Sequence, residues 1–123
     1  MSITAYATSV NFKIPAKNVD KAFRAAHSAL LKEHPTYDGV LSLSDIMNYV
    51  FLDNKVDDNG DVIVTGFDAT SNYETVVLEA IAPFVLPGSW IDFEEEDGAI
   101  RHDVIIDGRY VLGEPEYPEQ SNN

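Results

Sequence analysis

The 123-residue chain contains no cysteine, which excludes disulfide bonds, thiolate metal sites and thiol nucleophiles. It also lacks any run of 18 apolar residues, the length that spans a bilayer as a helix. The first residues, Met1 to Thr4, do not begin the basic and apolar stretches that are typical of a signal peptide. These absences predict a chain that makes no membrane span and works in the cytoplasm.

Basic residues are scarce. Eight Lys and Arg stand against 21 Asp and Glu, which gives a formal net charge of -13. The imbalance is uneven, because residues 1–32 carry a net +4 and residues 33–123 carry a net −17. Nucleic acid and anionic membrane would be repelled by such a chain overall. The charge favours a protein partner with a basic surface, although a high net charge also keeps small proteins apart in solution.

Sequence signatures of catalysis and cofactor binding are missing as well. There is no Gly-x-Ser-x-Gly motif, no glycine-rich phosphate loop and no pair of histidines at metal-ligand spacing. We therefore predict a protein that is not an enzyme and has no cofactor. Weak binding of Ca²⁺ or Mg²⁺ stays open at two sets of acidic residues. One is Asp92 with Asp103, and the other is Asp57 with Asp58 and Asp61.

The periodicity of the first half predicts alternating strands and helices. Residues 4–14 alternate as a half-buried strand, and residues 18–33 repeat at helical spacing behind the capping residue Asn18. The spacing of Ser42 and Asp45 resembles a capping box and predicts a short helix over 44–52. A strand over 49–56 is the alternative for part of that segment.

The second half predicts one more helix and a run of strands. Residues 62–67 are rich in β-branched side chains, and Ser71 with Glu74 forms a capping box that opens the third helix. Two Asp-Gly pairs then predict a meander of three strands. The order β-α-α-β-α-β-β-β indicates an α+β fold, in which a mostly antiparallel sheet of about five strands carries two main helices and a short one on one face. We expect a single domain over 1–112 and a flexible acidic tail over 113–123.

The two Asp-Gly pairs, Asp97-Gly98 and Asp107-Gly108, also predict the register of the meander if each forms a two-residue turn. Asp92 then lies opposite Asp103. The predicted core face carries Ile91, Phe93, Ile100, His102, Val104, Ile106 and Val111. The predicted solvent face carries Trp90, Asp92, Glu94, Arg101, Asp103, Ile105, Tyr110 and Leu112.

That predicted solvent face mixes apolar side chains with like charges placed opposite each other, which is unfavourable for a surface that meets only water. An aromatic anchor beside carboxylates that accept Arg or Lys is typical of a protein interface. The candidate partner-binding residues are Trp90, Asp92, Glu94, Glu95, Glu96, Asp97, Arg101, Asp103 and Tyr110. Two alternatives stay open, namely a cover formed by the tail or an N-terminal segment, and a homodimer contact. The homodimer contact would use Trp90, Ile105, Tyr110 and Leu112.

Residues 71–112 carry four short segments in a characteristic order. They are Ala80-Ile81-Ala82-Pro83-Phe84-Val85, Gly88-Ser89-Trp90-Ile91-Asp92-Phe93, Glu96-Asp97-Gly98 and Ile106-Asp107-Gly108. This pattern resembles small bacterial and phage proteins of no known activity. The resemblance implies a helix followed by hairpins, and a phage or mobile-element origin.

Charge and surface together predict a small, acidic, non-enzymatic interaction protein. Its most specific form is a phage-encoded inhibitor in the host cytoplasm, whose carboxylates mimic nucleic acid and block a basic groove on a host or defence protein. Such a protein would bind neither nucleic acid nor membrane directly. The alternatives are a homo-oligomeric accessory protein and a small-ligand-binding domain, which would need a well-formed pocket.

Overall fold

A computed structural model describes residues 5–37, 42–69 and 73–117, which form two short 3-10 helices (Ala16–Asn18 and Ala82–Phe84) and nine α-helices and β-strands. In chain order they are β1 (Ala5–Ile14), α1 (Val19–Glu33), α2 (Leu43–Tyr49), β2 (Leu52–Val56), β3 (Val62–Ala69), α3 (Glu74–Ile81), β4 (Trp90–Glu95), β5 (Ile100–Ile106) and β6 (Arg109–Val111). The strands form one antiparallel sheet in the order β2-β3-β1-β4-β5-β6. The α+β prediction is confirmed. The sheet has six strands because Leu52–Val56 is a strand that follows α2, so both interpretations of that segment hold in part.

The helices bury one stripe each against the sheet. In α1 the buried residues are Ala22, Ala26 and Leu30, four apart and therefore on one side of the helix. Asn18 holds the capping position, but its side chain donates a hydrogen bond to the carbonyl of Phe84 at 3.1 Å and does not cap α1. That prediction was wrong because a carbonyl from a distant part of the chain lies within its reach.

The capping of α2 follows the prediction. The Ser42 hydroxyl accepts a hydrogen bond from the backbone N–H of Asp45 at 3.1 Å. Ser71, the predicted cap of α3, lies outside the described residues, as does Thr4 at the predicted start of β1.

A bulge in β1 interrupts the predicted alternation. The pairing of β1 with β4 shifts between Ala7 and Ser9. Because a bulge adds one residue to one strand, side chains before and after it exchange faces. Phe12 is therefore buried, whereas Tyr6 and Thr8, which an uninterrupted alternation over 4–14 would place on the same face as Phe12, are exposed on the other side of the sheet.

The β4–β5 hairpin has a loop of three residues, one more than predicted. The N–H of Gly98 donates to the carbonyl of Glu95 at 2.8 Å, and the N–H of Glu95 donates to the carbonyl of Ala99 at 2.8 Å. Gly98 has a φ of 94°, a left-handed conformation that closes a three-residue hairpin loop and favours glycine.

The longer loop changes the register of β5 by one residue. Asp92 lies opposite His102, and Ile91 lies opposite Asp103. Because strand side chains alternate, a slip of one residue moves every side chain of β5 to the other face. The predicted faces of β5 were therefore wrong. The face that packs against the helices holds Asp103 and Ile105, while the open face of β5 holds Ile100, His102, Val104 and Ile106.

The β5–β6 hairpin has the predicted register. Ile105 pairs with Tyr110, and Val104 pairs with Val111, as the second Asp-Gly turn indicates. Tyr110 therefore follows Ile105 into the interior, and both are buried. The predicted homodimer contact is not on one surface, because two of its four residues point into the core.

Candidate functional site

The inward side of β4, β5 and β6 carries a closed group of polar side chains, here called the interior network: Glu95, Arg101, Asp103 and Tyr110, with the backbone N–H of Gly113. The Asp103 side chain is completely buried. It accepts hydrogen bonds from Arg101 Nε at 2.9 Å and Nη2 at 3.1 Å, from the Tyr110 hydroxyl at 2.5 Å, and from the Gly113 N–H at 2.9 Å. A buried carboxylate is tolerated when its oxygens are satisfied in this way.

The remaining groups of the interior network are satisfied too. Arg101 Nη1 donates to Glu95 Oε2 at 2.9 Å, and the guanidinium lies 4.7 Å from the centre of the Phe93 ring. Burial raises the pKa of Tyr110 well above its ordinary range, and the charge of Asp103 raises it further. The phenol therefore stays protonated and serves as a fixed donor. The charges of Asp103 and Arg101 are thus paired with each other and with Glu95 within the network.

Three predicted surface contacts, Arg101, Asp103 and Tyr110, therefore lie inside the protein, and Glu95 is nearly buried beside them, with 11% of its side chain exposed. The predicted position of these residues was wrong because it depended on a two-residue loop. Asp92 and Asp103, the pair at which the sequence left weak cation binding open, do not come together, since their carboxylates lie on opposite faces of the sheet.

The opposite side of the sheet is the outer face, the side away from the helices. Its members on β1, β4, β5 and β6 include Tyr6, Thr8, Ser9, Asn11, Lys13, Trp90, Asp92, Glu94, Ile100, His102, Val104, Ile106, Arg109 and Val111. Tyr6, Ile100, Ile106 and Val111 are exposed apolar side chains. Trp90, Asp92 and Glu94 lie here as the sequence predicted. Ile100 and His102 were missed, because the predicted register assigned them to the core.

An aromatic ring, an imidazole and a carboxylate lie side by side at the centre of the outer face. The Trp90 ring is 5.5 Å from the His102 ring, centre to centre. Nδ1 of His102 is hydrogen-bonded to Asp92 Oδ1. Glu94 lies on the same strand and pairs with Tyr6 across the sheet. Apolar and acidic groups thus adjoin each other on an open surface.

The hairpin loop adds further acidic residues at one end of this face. Glu96 and Asp97 are exposed in the loop. The Asp97 carboxylate accepts hydrogen bonds from the N–H of Ala99 at 3.0 Å and from the Tyr117 hydroxyl at 2.9 Å. These bonds, the backbone one first, lower the pKa of Asp97. This carboxylate is therefore ionised and tied to the chain after β6.

The segment Gly113–Tyr117 follows the edge of β5, whereas the sequence predicted mobility from residue 113 onward. Ile100 and Glu116 exchange two backbone hydrogen bonds, at 2.7 and 2.8 Å. Gly113 lies so close to His102 that a Cβ at position 113 would overlap the His102 backbone. The rest of the predicted tail, 118–123, lies outside the described residues.

A cleft of about 400 Å³ lies between this segment and the outer face. Side chains of β1, β4 and β5 form one wall, and the chain after Gly113 forms the other. Its polar and apolar lining includes Thr8, Asp92, Ile100, His102, Glu114 and Glu116. Glu114 and Glu116 were missed as site residues because the sequence after Gly113 has no core pattern.

The second acidic group considered for cations is engaged within the fold. Asp57 Oδ1 accepts from the N–H groups of Asn59 and Asp61 at 2.9 and 3.0 Å, and Asp61 Oδ1 accepts from the N–H of Ala16 at 2.7 Å. In the described parts of the chain, no three His, Asp or Glu side chains are grouped so that they could hold a metal ion.

Comparison with protein-family models, with curated proteins and with solved structures gives no match. The resemblance of residues 71–112 to small bacterial and phage proteins was therefore wrong, and the origin that it implied is without support. Among the described residues, no helix has both the length and the apolar character needed to cross a membrane.

Proposed function

We propose that this protein is a small, acidic, non-enzymatic interaction protein that binds a basic surface of a partner protein through its outer face. One observation carries the proposal: the helices cover one side of the sheet, while the other side exposes Tyr6, Ile100, Ile106 and Val111 beside carboxylates. Exposed apolar side chains grouped together are typical of interaction sites, and aromatic anchors are common at interface centres.

The charge around the outer face favours a basic partner. The carboxylates of the face, the loop and the following segment are Asp92, Glu94, Glu96, Asp97, Glu114 and Glu116. The basic side chains of the same face are fewer, since Arg109 is exposed on β6 and Lys13 on β1 is paired with Asp61. Arg101 is directed inward to Asp103 and Glu95, and His102 is hydrogen-bonded to Asp92. An acidic patch of this kind speeds association with a basic surface and selects against acidic partners.

The basic surface that we propose as the target is a groove that otherwise binds nucleic acid. Such grooves concentrate Lys and Arg to neutralise phosphates, so that an acidic protein face can occupy them in competition. Binding of this type weakens as salt rises, because exposed charges are screened.

Affinity capture with a charge-reversed variant tests this proposal. The double variant Asp92→Lys, Glu94→Lys should no longer capture the partner protein. The variant Glu79→Lys, which reverses the charge of an exposed residue of α3, should capture it as the unmodified protein does. Duplex DNA added to the captured complex should release the partner. Capture that is equal for both variants would contradict the role of the outer face, and a partner that DNA fails to displace would contradict the proposed groove.

A further inference from the structure

We propose that the cleft between the outer face and the Gly113–Tyr117 segment receives one arginine side chain of the partner protein. This inference rests on the proposed function, because it assigns a specific pocket to the same surface. At about 400 Å³ the cleft falls within the ~300–1,000 Å³ range of sites that hold small ligands, and a side chain is a ligand of that class.

The electrostatics of the cleft favour a cation. Asp92, Glu114 and Glu116 contribute carboxylates to the lining. Among the described residues, the side chains of Glu114 and Glu116 form no ion pair. Arg101 also borders the cleft, but all three of its hydrogen-bonding nitrogens are used by the interior network. An incoming guanidinium would therefore meet two carboxylates that lack a cationic partner, Glu114 and Glu116, beside Asp92, which is bonded to His102.

The shape of the surroundings favours arginine over lysine. Ile100 provides an apolar wall for the methylene groups. The His102 ring lines the cleft and is hydrogen-bonded to Asp92, and the Trp90 ring lies 5.5 Å from it on the same face. A guanidinium can stack on such a ring while it donates to a carboxylate. An ammonium group is more strongly hydrated and cannot form the same planar, two-pronged hydrogen bond.

The outer wall of the cleft is already in position without a partner. Gly113 is held by its N–H bond to Asp103, Glu116 by its backbone bonds to Ile100, and Tyr117 by its bond to Asp97. A wall fixed at three points loses little conformational freedom when a side chain enters, and such preorganisation increases affinity.

Trp90 is the only tryptophan of the chain, so its fluorescence reports directly on this part of the outer face. We would titrate the protein with N-acetyl-arginine amide and with N-acetyl-lysine amide at low ionic strength. The arginine compound should produce a saturable change in emission, and the lysine compound should bind several-fold more weakly. Glu114→Gln combined with Glu116→Gln should weaken arginine binding about tenfold, since charge-assisted hydrogen bonds contribute about that factor or more. Glu79→Gln on α3 is the matched control and should bind as the unmodified protein does.

The outcomes separate this inference from the proposed function. Equal binding of the two compounds, or unchanged arginine binding after the double Gln substitution, overturns the arginine pocket. If protein capture survives in that case, the proposed function of the outer face stands without the pocket. If N-acetyl-arginine amide binds as expected but no protein is captured, the result contradicts the proposal that the arginine side chain belongs to a partner protein. Loss of both capture and arginine binding in the double variant supports the two proposals together.

Discussion

The phenolic oxygen of Tyr110 lies 2.5 Å from Oδ2 of Asp103, and both groups are shielded from water. The same carboxylate accepts hydrogen bonds from Arg101, which lies two residues earlier in β5 on the same face of the sheet. The bond therefore joins β6 to a buried ion pair and ties the last three strands together. It lies on the helix side of the sheet, so that the charges of Asp103 and Arg101 are directed away from the outer face.

Replacing the buried acid should be costly. Asp103→Asn leaves Arg101 with a buried charge that is only partly compensated by Glu95, and breaking a buried pair costs about 3–5 kcal/mol. Urea unfolding should show this loss of stability. Asp92→Asn, which removes a carboxylate that is 37% exposed, should cost about 1 kcal/mol or less. Similar losses in the two variants would show that the interior network contributes little to stability.

Alkaline pH should destabilise the fold through Tyr110. Burial first, and Asp103 second, raise the pKa of Tyr110 in the folded state above its value in the unfolded chain, which is about 10. A group whose folded pKa is raised contributes stability below the unfolded pKa and loses it as pH rises above that value. The free energy of unfolding should therefore decrease above about pH 10. In Tyr110→Phe this pH dependence should become smaller, even though the variant is less stable at neutral pH, and an unchanged alkaline slope would contradict the assignment.

Acid should release the contact between the hairpin loop and the segment after β6. The pKa of Asp97 is lowered by the N–H of Ala99 and then by the Tyr117 hydroxyl. A group whose folded pKa is lowered contributes stability above its unfolded pKa, and this contribution is lost as pH falls through the folded value. NMR titration of the Ala99 amide should therefore show a midpoint below the ordinary range of an aspartate. Tyr117→Phe should move that midpoint upward, and Tyr6→Phe is the control that should not.

A methyl group at position 113 should detach the outer wall of the cleft. In Gly113→Ala the new Cβ would overlap the His102 backbone, so the segment must move away and its N–H can no longer reach Asp103. Amide exchange at Glu116 and Ile100 should become faster, and the fluorescence response of Trp90 to N-acetyl-arginine amide should be lost. Gly66→Ala on β3, where the new Cβ would approach only the Asp53 side chain, with Oδ2 at 3.2 Å, is the control for a general effect of replacing glycine and should retain that response. Protected amides in Gly113→Ala would show that the close approach is not required.

Periodicity was sufficient to predict the α+β fold, because long amphipathic elements such as α1 and β4 bury one side whatever their neighbours do. It also placed Trp90, Asp92 and Glu94 together on the open face. The register of β5 could not be predicted from it. Glu96-Asp97-Gly98 is compatible with an Asp-Gly turn of two residues and with a loop of three residues that ends in glycine. Only the packing of the whole sheet selects between them.

The error in loop length also explains why the residues that line the cleft were not predicted from the sequence. With the wrong loop, Ile100 and His102 belong to the core, and the segment after Gly113 has no strand edge to follow. Glu114 and Glu116 offered no periodic signal, because their position depends on a backbone pairing with Ile100 far away in sequence. Such pairings are set by tertiary structure and leave little trace in local composition.

The length of the three-residue loop between Glu95 and Ala99 determines which side chains of β5 face solvent. A change by an odd number of residues turns every side chain of β5 to the other face of the sheet. Removing one loop residue would direct Arg101 and Asp103 to solvent and His102 to the interior, which would replace an acidic, apolar surface by one with paired opposite charges. Removing or adding two residues would restore the original orientation. Single-residue changes of loop length would therefore exchange the β5 side chains that face solvent, whereas changes of two residues would alter only the length of the loop.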